Sequence, residues 1–107
     1  MRAPSRLAAL AVLLLLAASC ASALERASHR YKQDRDYASL ETIAHSLRTG
    51  MSRAEVEALL GSPDYSPTDG QYNYSSSREN HILVVDYRID ERVTDRLQSF
   101  DLMTIGE

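Results

Sequence analysis

The chain has 107 residues, with 12 Lys and Arg, 15 Asp and Glu, and a formal net charge of −3. This length accommodates one domain. The acidic balance disfavours nucleic acid as a partner, because phosphate binding requires clustered positive charge. A single cysteine excludes a disulfide within the chain.

The N-terminal residues 1–19 have the features of a secretory signal peptide. Arg2 and Arg6 precede an uninterrupted apolar run from Leu7 to Ala18. The run is shorter than the roughly 20 apolar residues that a membrane-spanning helix needs, so we expect a cleaved signal.

The apolar run ends in "LLAASC", which resembles a bacterial lipobox and implies lipidation of Cys20 by acyl chains such as palmitate. Ala21, rather than Asp, follows the cysteine, and in the sorting pattern of enteric bacteria this implies the outer membrane. The adjacent "ASAL", residues 21–24, is an alternative cleavage site that would release the protein into the periplasm.

We predict a flexible tether over residues 20–35, because this mixed polar segment shows no sustained period. Residues 36–107 are then predicted to form the domain. An alternative for the tether is that Tyr31 and its basic neighbours become ordered on binding a partner.

The domain is predicted to begin with an amphipathic helix. Its apolar stripe has the spacing i, i+3, i+4 and i+7 and consists of Leu40, Ile43, Ala44 and Leu47. Asp36 or Ser39 can cap its N-terminus, and Gly50 can adopt the left-handed conformation that ends a helix.

A second helix follows at once. "SRAE" forms a capping box between Ser52 and Glu55, an apolar stripe continues through Val56, Leu59 and Leu60, and "GSP" at residues 61–63 stops the helix. We therefore expect two short helices that form a corner at Gly50 and Met51.

Three strands are predicted after the helices. Tyr72 and Tyr74 share one face of the first strand, and "HILVVDYRI" is the second, with alternating sides. "VTDRLQSFDLMTI" is the third, and Gln98, Phe100 and Leu102 carry its alternation. The predicted fold is α+β, two short helices packed on one face of a three-stranded antiparallel meander (ααβββ), with the other sheet face in solvent.

The stretch "LRTGMSRAEVEALLGSPD", residues 47–64, resembles the signature of the SmpA/OmlA (BamE-like) lipoproteins. The matching positions are Gly50, Met51, Ser52, Val56, Leu60, Gly61 and Pro63. The resemblance implies a lipidated N-terminal cysteine and a fold of two helices on a three-stranded sheet. The best-known members are accessory lipoproteins of the machine that inserts β-barrels into the outer membrane.

Catalytic and metal-binding patterns are weak in this chain. There is no Gly-x-Ser-x-Gly elbow. His81 with Asp86 or Asp90 could form a triad with one of Ser75–Ser77, but residues of odd separation on one strand face opposite sides, which favours a solvated hairpin. Because His29, His45 and His81 belong to separate segments, we predict no metal site, no cofactor and no enzymatic activity.

The sequence thus favours a lipid-anchored protein of the bacterial cell envelope, with a non-enzymatic protein-binding or scaffold role in or near outer-membrane assembly or integrity. Tyr65, Tyr72 and Tyr74 are the candidate partner-binding residues. The alternative is a soluble periplasmic inhibitor or sensor with the same domain, which rests on analogy of fold. A small hydrolase has the least support.

Overall fold

The computed structural model describes residues 22–105. The predicted signal peptide, residues 1–19, and Cys20 lie outside this range. The helices are α1 (residues 22–34), α2 (Tyr37–Ser46) and α3 (Arg53–Leu60). The strands are β1 (Tyr65–Thr68), β2 (Gln71–Tyr74), β3 (His81–Asp86), β4 (Arg88–Ile89), β5 (Arg92–Val93) and β6 (Ser99–Thr104).

Four strands form one antiparallel sheet in the order β1-β2-β3-β6, and β4 and β5 form a separate two-stranded hairpin. The α+β class is therefore confirmed. The sheet has four strands instead of the three expected. The additional strand is β1, whose sequence "YSPT" contains a proline and gives a weak strand signal. The long second strand that was predicted ends at Asp86, and its continuation belongs to the hairpin.

The prediction of a flexible tether over residues 20–35 is wrong from residue 22 onwards, because residues 22–34 form α1. Ala27, Ser28 and Tyr31 on this helix are buried, and Leu24 packs against the core. These four positions have the spacing i, i+3, i+4 and i+7 of one helix face. The first helix is thus part of the domain.

The predicted helical corner is confirmed, with one change in its first helix. Asp36 is the N-cap of α2, but the helix ends at Ser46, four residues before Gly50. Gly50 has a φ of +91° in the connecting turn, where its N–H donates to the Leu97 carbonyl. The corner is therefore fixed by the segment before β6 as well as by its own caps.

The core lies between the helices and one face of the sheet, the inner face. The inner face carries Tyr72, Tyr74, Leu83, Val85, Phe100 and Leu102, which are cross-strand neighbours in the observed register. The stripe predicted on α2 is buried, with Leu47 just after the helix end. In the stripe predicted on α3, Val56 and Leu60 are buried and Leu59 is half-buried. The predicted alternation along β2 and β3 is therefore confirmed, whereas Tyr72 and Tyr74, predicted to bind a partner, lie on the side that faces the core.

The opposite side of the sheet, the outer face, has no helix on it among the described residues. One row across the four strands places Tyr65, Asn73, Val84 and Asp101 side by side. Ile82 and Met103 form the adjacent pair. This face mixes apolar and polar groups and includes the most exposed large apolar residue, Tyr65.

Candidate functional site

The three candidate tyrosines do not form one surface. Tyr65 is 62% exposed on the outer face, whereas Tyr74 is 1% exposed and points into the core. The Tyr74 hydroxyl donates to the Gly61 carbonyl at 3.0 Å. Tyr72 is half-buried on the inner face. Only Tyr65 is available for contact with a partner in the folded protein.

Tyr72 belongs to an aromatic and cationic cluster that stabilises the N-terminal end of α3. The Arg53 guanidinium lies 4.6 Å from the Tyr72 ring centroid and 5.7 Å from that of Tyr87. The Nε of Arg53 also donates to Glu57 at 2.9 Å. Burial raises the pKa of Tyr87 to about 12, since a tyrosinate would lose its hydration there. These contacts give Tyr72 a role in packing.

Polar side chains from α1 and the residue after it satisfy the carbonyl groups at the C-terminus of α3. Ser28 donates to the Leu59 carbonyl at 2.7 Å, and Lys32 donates to that of Ala58 at 2.6 Å. The guanidinium of Arg35 donates to the Ser62 carbonyl at 3.2 Å. The last carbonyls of a helix have no partner within it and favour positive charge. This capping couples α1 to the helical corner.

Asp64 links three parts of the chain behind the "PDYS" stretch. Its carboxylate accepts from Arg35 at 2.9 Å and from both the N–H and the hydroxyl of Ser75. Burial opposes the charge, but these hydrogen bonds outweigh it and lower the pKa of Asp64. Asp64 therefore has structural partners in the folded domain.

The family-signature residues have structural positions. The Ser52 hydroxyl accepts from the Glu55 N–H and Glu55 accepts from the Ser52 N–H, which completes the predicted capping box. Val56 and Leu60 are fully buried, Met51 packs against the core, and Gly61 ends α3 with a φ of +78°. Pro63 lies half-buried in the segment after this helix end. The family-signature residues thus form the helical corner between α2 and α3.

The serine cluster and His81 do not adopt a triad geometry. The Ser76 hydroxyl donates to the backbone carbonyls of Arg78 and His81, and that of Ser75 donates to Asp64. The His81 Nδ1 is buried without a hydrogen-bond partner in the part of the chain that the structure describes. The ring packs edge-on against Tyr37, with centroids 5.0 Å apart. Among the described residues, none of the hydroxyls of Ser75–Ser77 is hydrogen-bonded to the His81 ring, as a triad would require.

Residues 22–105 contain neither a cluster of metal ligands nor a membrane-spanning helix. No group of three or more His, Cys, Asp or Glu side chains in this range is close enough to hold a metal ion. Nor does any helix in it have the length and apolar character required to cross a bilayer.

The accessible surface best suited to binding is the outer face together with the edge strand β6. Met103 and Ile105 are exposed there. Gln71, Val84, Asp86, Ser99, Phe100, Asp101 and Met103 line a shallow depression of about 240 Å³. The carboxylate of Asp86 forms an ion pair with Arg88 at 2.6 Å, whereas Asp101 forms no ion pair with the described residues.

The sequence predicted that one sheet face would remain in solvent, which agrees with this surface. The candidate residues Tyr65, Tyr72 and Tyr74, however, include no residue of β6. The alternation of exposed Ser99, Asp101 and Met103 with half-buried Phe100 and Leu102 was the available signal. What the alternation alone does not reveal is that β6 lies at the sheet edge, which follows from the topology.

No protein-family model, curated protein or solved structure matches this chain.

Proposed function

We propose that this chain is a lipid-anchored protein of the bacterial cell envelope, whose BamE-like α+β domain binds a protein partner in or near outer-membrane assembly or integrity. The role is non-enzymatic. The lipobox-like sequence ending at Cys20 and the corner sequence of residues 47–64 support this proposal. The observation that carries it is that α1, described from residue 22 onwards, packs into the domain and follows Cys20 closely in the sequence.

Cys20 lies two residues before Ser22, the first residue of α1 that the structure describes. Two Cα–Cα steps span at most about 7 Å, so acyl chains on Cys20 would hold the start of the folded domain at the bilayer surface. Several acyl chains provide stable anchoring, since each buried methylene contributes about 0.8 kcal/mol. A partner protein would then bind a domain whose distance from the bilayer surface and orientation are restricted.

The position of α1 also supports the lipobox over the alternative cleavage site. Cleavage after Ala23 would remove Ser22 and Ala23 from the described part of α1 and leave Leu24, which packs against the core, at the new N-terminus. Cleavage before Cys20 would retain every described residue of α1. The soluble inhibitor or sensor is therefore the less favoured function.

The anchoring is tested by feeding an alkyne analogue of palmitate to bacteria that express wild-type protein, Cys20→Ala or the neighbouring control Ser22→Ala. We expect label and membrane fractionation for the wild type and for Ser22→Ala, and loss of the label for Cys20→Ala. An unlabelled wild-type protein in the soluble fraction would contradict the anchoring.

The partner-binding role is tested by placing a photoreactive residue at Tyr65 on the outer face or at Glu41, an exposed position on α2. We expect a reproducible crosslink to one envelope protein from position 65 and none from position 41. Equal crosslinking from both positions, or none from position 65, would argue against binding through the outer face. Substitution of Tyr74 is unsuitable here, because this side chain is buried in the core.

A further inference from the structure

The two edges of the four-stranded sheet differ in how accessible they are to another strand. At one edge, β1 has four residues, an irregular register between Tyr65 and Thr68, and Pro67, which has no N–H. Short, irregular, proline-containing strands protect sheet edges from pairing. At the other edge, β6 has six residues in regular register with β3 and no proline.

The register determines which backbone groups of β6 point outwards. The Ile105 N–H donates to the Asn80 carbonyl, and β6 continues this antiparallel register along β3. Antiparallel strands alternate their hydrogen-bonding direction residue by residue. The N–H and C=O groups of Phe100, Leu102 and Thr104 therefore point away from β3. Within residues 22–105, no strand pairs with that side of β6.

The side chains beside this edge specify the chemistry of an added strand. A new strand next to β6 would place one residue in the row that contains Asp101 and Val84 on the outer face. The aliphatic stem of a lysine or arginine at that position can lie along Met103 of β6, with its charge beside Asp101. Asp101 has no ion-pair partner among the described residues, so the complementary charge is positive.

We infer that the free edge of β6 accepts an extended segment of a partner protein as an additional β-strand, with a lysine or arginine of that segment beside Asp101. Backbone hydrogen bonds along Phe100, Leu102 and Thr104 hold the segment, and the charge selects it. This inference deepens the proposed function and rests on its protein-binding role. It does not depend on the lipid anchor, so a failure of either can be recognised separately.

The probe is a capped peptide of the same length as β6, with alternating threonine and valine and one central lysine. Two companion peptides carry glutamate at the centre, or proline at alternate positions. Each peptide is titrated into isotope-labelled protein spanning Cys20 to the C-terminus, and the amide resonances of β6 are followed by NMR. Asp101→Lys is the test variant. Asp69→Lys, in the exposed turn between β1 and β2, is the control with the same charge change.

We expect the lysine peptide to shift the amide resonances of Phe100, Leu102 and Thr104, and to bind about fivefold more tightly than the glutamate peptide. Asp101→Lys should reverse that preference, whereas Asp69→Lys should preserve it. The proline peptide should not bind, because it lacks the donors of a strand.

Three results would overturn the inference. The first is the absence of β6 shifts with any peptide. The second is equal affinity for the lysine and glutamate peptides, and the third is a preference that Asp101→Lys leaves unchanged. Shifts of β6 resonances with protein concentration alone would assign the edge to a second copy of this chain, and so would also contradict a partner segment.

Discussion

Replacement of Tyr31 measures how much α1 contributes to the domain. The side chain is fully buried, and its hydroxyl donates to the Ser75 carbonyl at 2.6 Å. Truncation of a buried aromatic residue to alanine costs about 3–5 kcal/mol. Loss of the hydrogen bond alone, as in Tyr31→Phe, costs about 1 kcal/mol. We expect Tyr31→Ala to remove much of the free energy of unfolding, since domains of this size have about 5–15 kcal/mol.

The assay is urea denaturation followed by far-UV circular dichroism. With an m-value of about 1.5 kcal/mol/M, Tyr31→Ala should lower the midpoint by about 2 M or more. Tyr65→Ala is the matched control, because this tyrosine is 62% exposed and should change stability by less than about 0.5 kcal/mol. If Tyr31→Ala were as mild as Tyr65→Ala, residues 22–34 would not be part of the folded core and the reasoning would be refuted.

Three further predictions concern the stability of the domain at acidic pH, at alkaline pH and after substitution of a glycine. The folded state lowers the pKa of Asp64, so its stabilisation is present above the ordinary value of 3.8 and is lost as the pH falls through the lower folded pKa. Asp64→Asn should therefore make the free energy of unfolding, measured by urea titration, less dependent on pH in the acidic range. At the alkaline end, burial raises the pKa of Tyr31, Tyr74 and Tyr87, so the unfolded state binds fewer protons above a pH of about 10. Stability should fall there, and these tyrosines should ionise only on unfolding, as measured by tyrosinate absorbance. Gly70→Ala should destabilise more than Gly50→Ala in thermal melts, since both glycines have positive φ but only the Gly70 Cβ would approach side-chain atoms at 2.8 and 2.9 Å. Equal melting temperatures for the two variants would contradict this.

The parts of the fold that were predictable are those with a local physical cause. The Ser52 and Glu55 capping box acts within one helical turn, and the period of two in "HILVVDYRI" places Leu83 and Val85 on the same side of a strand. Both were confirmed. They account for the corner and the inner face of the sheet.

The parts that were missed depend on contacts between distant segments. The buried stripe of α1 contains Leu24 but otherwise consists of Ala27, Ser28 and Tyr31, which give a weak hydrophobic period. The helix is stabilised through α3, some 30 residues away, where Ser28 caps a carbonyl. Likewise, no local pattern indicates that Tyr74 donates to Gly61 or that β6 is an edge. The sequence pointed to the tyrosines as the candidate site, whereas the structure points to Asp101, because the burial of Tyr74 and the edge position of β6 both depend on contacts between distant segments.

The most direct test of a lipid-anchored domain is the intact mass of the mature protein isolated from its own membranes, with fragmentation to locate the N-terminus. The account predicts a chain that begins at Cys20 and carries acyl chains on that residue, two residues before the described part of α1. A chain that begins at Leu24, or one whose Cys20 carries no acyl group, would contradict it.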